Sequence, residues 1–128
     1  MRLLLDTHAF LWWIQGGEGL SSVARTTIAD RQHECWLSIA SAWEMAIKIS
    51  LGKLKLPNDL ERFLSEQLAR NGFQAMPIAV GHVSRVAQLP FHHRDPFDRL
   101  IAAQALEEDV AVVTADKVFS KYKVRRIW

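Results

Sequence analysis

Two uninterrupted apolar runs, each closed by an acid, limit what this chain can fold into. Leu3-Leu4-Leu5 runs into Asp6, and Val110-Ala111-Val112-Val113-Thr114 is followed at one remove by Asp116. A strand with one face in water alternates apolar and polar residues, whereas a strand covered on both faces reads as a continuous apolar run. The two runs therefore predict strands in the middle of a parallel sheet, with helices on both faces. Cys35–Leu37 and Ala75–Ile78 read as further strands and Val124–Trp128 as a fifth, with helical patterns between the first four. Such alternation is the mark of an α/β chain.

The helical segments carry their own start and stop signals. His8–Ile14 is stopped by Gly16 and Gly17, and a helix from about Ser22 to Asp30 has Ser21 or Ser22 as its cap. Ser38 caps a helix whose apolar residues are Ile39, Ala42, Trp43, Ala46 and Ile47, and Gly52 stops it. That spacing of i, i+3, i+4, i+7, i+8 predicts a core-facing stripe, with Trp43, like Trp36, in the core. Leu60–Arg70 is helical with an Asn71-Gly72 exit, and Val80–Gln88 ends before Pro90. Phe91–Arg94 is a loop. Asp95 then caps a helix with Pro96 at its first position, where proline costs least, reaching about Glu107. Trp12 and Trp13 are adjacent, so they cannot share a direction. One reading makes one of them core and the other an exposed anchor; the other leaves both half-buried.

The 128 residues suit a single domain, 1–128, with no repeat or linker. The lone Cys35 has no partner for an internal disulfide, which points to a reducing, cytoplasmic setting. No segment reads as a signal peptide or a membrane span. A net charge of +2 is too small to mark a general nucleic-acid binder. After Asp116, however, Lys117, Lys121, Lys123, Arg125 and Arg126 follow without an acid among them. This tail fits a phosphate-facing patch, and equally a solvated last strand.

In open parallel sheets, ligands bind beyond the carboxyl ends of the strands, where the strand order reverses. Asp6 and Asp116 therefore point to one cleft if their strands are neighbours. Asp98 sits in the first turn of the Asp95-Pro96 helix on the same rim, and Glu44 lies on the flank of the apolar stripe of its helix. Each has a plainer role open to it. Asp6 and Asp116 suit turns, Asp95 and Asp98 have the spacing of a helix cap, and Glu44 can pair with Lys48. We assign Asp95 to the cap and Asp98 to the cluster. Carboxylates packed together repel, and a hard divalent cation relieves that repulsion. Mg²⁺ or Mn²⁺ held by Asp6, Asp98, Asp116 and Glu44 can activate water and neutralise charge on a phosphate, the chemistry of phosphodiester hydrolysis. His92-His93 beside these acids offers a zinc or iron site as a lesser alternative to loop packing.

Four stretches together resemble the PIN-domain family, and within it the VapC-type branch. They are Leu4-Leu5-Asp6-Thr7-His8-Ala9, Trp43-Glu44 followed by Lys48 and Leu51-Gly52-Lys53-Leu54, the run His93-Arg94-Asp95-Pro96-Phe97-Asp98-Arg99-Leu100-Ile101-Ala102, and Val113-Thr114-Ala115-Asp116 with Phe119. The resemblance spans Leu3 to Phe119. It implies a three-layer α/β/α fold with a parallel sheet of about five strands, and a Mg²⁺- or Mn²⁺-dependent endoribonuclease. It also implies an RNA substrate, a cognate antitoxin that occupies the cleft, and a homodimer. Carried over by position, Asp6, Glu44, Asp98 and Asp116 match the acidic cluster, and Thr7 and Thr114 match hydroxyls beside it. Arg99, after the third acid, and Lys117, after the fourth, are candidates to meet RNA phosphate; a surface role for Arg99 fits as well.

Rival readings are weaker. A phosphate-receiving signalling domain needs paired acids after its first strand and a phosphoaccepting Asp after its third. Here Thr7 follows Asp6, and Ala79-Val80 follow Ala75–Ile78. A related nuclease acting in RNA processing or on DNA, without an antitoxin, stays open. A catalytically idle binding module is disfavoured by the intact acids.

Overall fold

The structure, a computed structural model, describes residues 1–128. Five strands form one sheet: β1 (Arg2–Leu5), β2 (Glu34–Ser38), β3 (Gln74–Met76), β4 (Ala111–Val113) and β5 (Arg126–Ile127). Seven helices surround it: α1 (Thr7–Ile14), α2 (Ser22–Ala29), α3 (Ile39–Ser50), α4 (Leu60–Asn71), α5 (Val80–Gln88), α6 (Pro96–Glu108) and α7 (Val118–Lys121). The strand order is β3-β2-β1-β4-β5, and every neighbouring pair is parallel. No helix is long and apolar enough to cross a membrane.

The apolar run of β1 explains the three layers. Leu3 and Leu5 point to one side, into a core with Ala9 and Phe10 of α1, Ala24 and Ile28 of α2 and Phe63 of α4. Leu4 points to the other, into a core with Ile101, Ala102 and Ala105 of α6 and Phe119 of α7. All three leucines are fully buried, each worth about 2 kcal/mol by area removed from water. The caps expected at Ser21, Ser38 and Asp95 hold, and Asp6 and Asp59 are two more; these residues cap α2, α3, α6, α1 and α4 through side-chain oxygens that accept backbone N–H bonds. Gly72 closes α4 at φ +68°, a left-handed conformation that glycine adopts without cost.

Two expectations are corrected. The apolar stripe of α3 faces outward: Ile39, Trp43 and Ile47 are exposed, Trp43 by 57 %. The buried face carries Ala40, Ser41, Glu44 and Met45. Periodicity leaves Ser41 and Glu44 outside the core stripe, Glu44 on its flank, but both have partners inside. The Thr7 hydroxyl oxygen lies 2.9 Å from Ser41 Oγ and 2.7 Å from Glu44 Oε1. A polar group with its hydrogen bonds made loses little by burial, and the small Ala40 and Ser41 let α3 approach closely. Trp43 is therefore not core, and Trp36 is only partly buried against the second cluster. The second correction is α7. The sequence showed no sign of this single turn; it starts where Asp116 Oδ1 accepts the N–H of Val118 at 3.0 Å. Of the two readings of Trp12 and Trp13, the structure shows the half-buried one. Trp12 packs on Trp128 and His8, and Trp13 packs on Phe73 while its Nε1 donates to Asn71 Oδ1.

Candidate active site

The strand order, not the strand direction, reverses between β1 and β4. From β1 the sheet builds through β2 to β3 on one side and through β4 to β5 on the other. Leu5 pairs with Val113 in register, and Asp6 N donates to Val113 O at 3.1 Å. The crevice beyond these carboxyl ends is where an α/β sheet offers a site, and both strands lead an acid into it.

Asp6 is almost fully buried, with both carboxylate oxygens engaged. Oδ1 accepts the Ala9 N–H at 2.7 Å, and Oδ2 accepts the Thr114 hydroxyl at 2.5 Å. Thr114 Oγ1 in turn accepts the Asp116 N–H at 3.0 Å. One hydroxyl thus links the acid after β1 to the acid after β4, and threonine can do this because it donates and accepts at once. Burial raises the Asp6 carboxyl above its usual range, with Thr114, Ala9 and His8 opposing and Glu44 adding to it. Glu44 enters from α3. Its Oε1 meets Thr7, and its Oε2 lies 3.0 Å from Lys48 Nζ. The pairing with Lys48 and the place in the cluster therefore coexist.

On α6, geometry separates Asp95 from Asp98. Asp95 Oδ1 accepts the N–H groups of Phe97 and Asp98 at 2.8 and 3.1 Å, so it is the cap. Asp98 Oδ2 projects towards the crevice, 3.0 Å from His93 Nε2, which is also 3.2 Å from Asp116 Oδ2. The Asp98 carboxyl is pushed up to about 7, by burial first and then by Asp95; His93 opposes, and Asp6 and Glu44 add smaller repulsions. Asp6, Glu44 and Asp98 therefore feel one another's charge. Oxygen donors crowded to this degree suit a hard divalent cation, so Mg²⁺ or Mn²⁺ fits the group. The oxygens available to hold it belong to Asp6, Asp98, Asp116 and Glu44. Together with Asp98 and Asp116, His93 Nε2 forms a compact set of possible ligand atoms.

Arg99 is corrected. It is only 6 % exposed, and its guanidinium donates to the carbonyls of Pro90, Val86 and Leu89 and to Tyr122 Oη while lying 4.2 Å from the Phe91 ring. A guanidinium so committed ties the loop after α5 to α6 and is withdrawn from any phosphate. Lys117 is exposed next to Asp116, on the rim. Sequence reasoning placed His92-His93 beside the acids but favoured loop packing for them; that His93 in particular reaches Asp98 and Asp116 depends on how loop 91–94 folds back.

Comparison with known proteins agrees with this geometry. The PIN domain family model matches residues 3–124. Among solved structures, the chain resembles VapBC2 from Rickettsia felis bound to a promoter DNA fragment, at 16 % identity and TM-score 0.72, covering 98 % of this chain and 97 % of that one. It also resembles DNA-bound VapBC from Salmonella typhimurium, at 17 % identity and TM-score 0.69, over 98 % and 96 % of the two chains. The PIN domain endonuclease Utp24 is more distant, at 14 % identity and TM-score 0.52, over 95 % and 76 %. The comparison with curated proteins returned no match. With a family model covering nearly its whole length and the acids gathered where β1 and β4 part, this chain belongs to the PIN domain family.

Proposed function

We propose that this chain is a divalent-metal-dependent endoribonuclease and the VapC-type toxin of a toxin–antitoxin pair, acting in the cytoplasm. The observation that carries the reading is the convergence of Asp6, Asp98 and Asp116, with Glu44 behind them, on the crevice at the carboxyl edge of the sheet. Bound there, Mg²⁺ or Mn²⁺ supplies a Lewis acid that activates water and offsets phosphate charge. The chain's own contribution is to hold its carboxylates still. Ala9 N–H and Thr114 orient Asp6, Thr7 and Lys48 orient Glu44, and Asp95 anchors the turn that presents Asp98. Lys117 stands on the rim, free to meet an RNA phosphate.

The similarity to VapBC structures supports an antitoxin that covers the crevice. The outward stripe Ile39, Trp43 and Ile47 supports a second copy of the chain as a partner on α3, since contiguous apolar surface of this kind marks an interface. The similarity to an endonuclease supports RNA processing without an antitoxin as the second reading.

The test is cleavage of total RNA by purified protein with Mg²⁺ or Mn²⁺, with EDTA, and by Asp6→Asn. Discrete cuts with 5′-phosphate ends that need both metal and Asp6 are expected. Cuts that leave 2′,3′-cyclic phosphates, or that survive EDTA, overturn the metal-dependent mechanism.

A further inference from the structure

His93 is the side chain at this site that the acidic motif does not explain. Its ring spans two acids from different elements: Nε2 lies 3.0 Å from Asp98 Oδ2 on α6 and 3.2 Å from Asp116 Oδ2 after β4. The opposite ring nitrogen decides what kind of contact this is. The Asp95 backbone N–H donates to His93 Nδ1 at 3.2 Å. A backbone amide can only donate, so Nδ1 accepts, and the ring proton sits on Nε2. In that tautomer Nε2 has no lone pair to offer a metal; it is a donor aimed at both carboxylates. The backbone of the residue is pinned as well. His93 N donates to Tyr122 Oη at 2.9 Å, and Arg99 Nη1 donates to the same oxygen at 3.2 Å. The buried Arg99 therefore has an indirect part in the site, since it braces the loop that delivers His93.

We propose that His93 is a positioning residue that bridges Asp98 and Asp116 through Nε2–H and yields those same oxygens when a divalent cation binds. Histidine and cation compete for one pair of acceptors, so loading the site requires the ring to swing away on its pinned backbone. The bridge keeps two repelling carboxylates at a working separation, and it sets a threshold of free cation below which the site stays closed. The cost of closure follows from its population. If the bridge is made nine-tenths of the time, apparent affinity is about tenfold weaker than that of the open site.

This inference rests on the metal-binding reading above, and the two are separable by titration of the full chain with Mn²⁺, followed by electron paramagnetic resonance. Wild type should bind Mn²⁺ and Asp98→Asn should lose it. His93→Ala should bind about tenfold more tightly. His93→Gln, whose amide restores a donor of similar reach, should return towards wild type. A ligand or a merely structural residue predicts the opposite sign or no change on His93→Ala, and either result overturns the bridge. Binding to wild type that ignores Asp98→Asn, or no binding at all, overturns the metal reading and the bridge with it. A second readout needs no variant. Nitrogen NMR of the metal-free protein should show His93 as the Nε2–H tautomer, its contact released on adding Mg²⁺; the Nδ1–H tautomer refutes the proposal.

Discussion

Removing the charge of Asp98 should stabilise the metal-free protein at alkaline pH relative to acid, by an amount set by the site. Burial, then Asp95, push this carboxyl from the ordinary 3.8 to about 7. An acid whose pKa rises on folding holds its proton more tightly in the native state. Between about pH 4 and pH 7 the folded chain keeps a proton that the unfolded chain has released, so stability falls as pH rises through that window. At about 1.4 kcal/mol per pH unit, a rise from 3.8 to about 7 corresponds to about 4 kcal/mol lost by pH 8. The side chain is 25 % exposed, and solvent and neighbouring groups screen part of this, leaving about 2 kcal/mol. Asp98→Asn keeps the shape and removes the ionisation. Urea unfolding of both proteins in EDTA at pH 5 and pH 8 gives the stability difference at each pH, and groups common to both cancel. Part of the window lies below pH 5, so the variant should gain about 1 kcal/mol on wild type between pH 5 and pH 8. An unchanged difference would refute the argument, because Asp98 would then titrate alike in the folded and unfolded chains.

Two further substitutions separate structural from functional roles. Arg99→Met leaves three carbonyls and Tyr122 without their donor, so stability should fall by about 3 kcal/mol, while the folded fraction keeps its RNA affinity; unchanged stability with lost RNA binding would reinstate a phosphate contact. Trp43→Asp places a charge on the outward stripe, so sedimentation should show the dimer dissociating to a folded monomer, whereas loss of the fold would return Trp43 to the core.

The fold was largely legible because its signals are local. The apolar runs of β1 and β4, the capping residues of α2, α3 and α6, and the Gly72 exit each act within a few residues, and the structure places them within a residue or two of expectation. The face of α3 was not legible, and the reason is physical. Apolar periodicity assumes that polar residues seek water. Ser41 and Glu44 find Thr7 instead, a residue 34 and 37 positions away in sequence. Once those partners exist, the polar face turns inward and the apolar one is left exposed. At the site, Asp6 and Asp116 follow from strand ends, and capping chemistry separates Asp95 from Asp98. His93 and Arg99 depend on loop 91–94 returning to the sheet edge and on Tyr122 near the end of the chain, and no local pattern encodes that.

The disposition of the protein's own cations leaves this crevice suited to a metal. Arg99 is turned to backbone carbonyls and Tyr122, and Arg126 Nη1 donates to Thr114 O at 3.1 Å. Lys48 pairs with the outer oxygen of Glu44. The remaining partners of Asp6 are an amide and a hydroxyl; Asp98 meets the His93 ring, and Asp116 meets that ring and the Val118 amide. Neutral donors orient a carboxylate without cancelling its charge, so burial, with a smaller repulsion from neighbouring acids, leaves the Asp6 and Asp98 carboxyls raised. Were Arg99 aimed into the crevice, it would lower those carboxyls and occupy the cation's place permanently. By spending its arginines on carbonyls, the fold keeps the acids oriented and their charge uncancelled, the condition that the proposed divalent ion and the proposed His93 bridge both require.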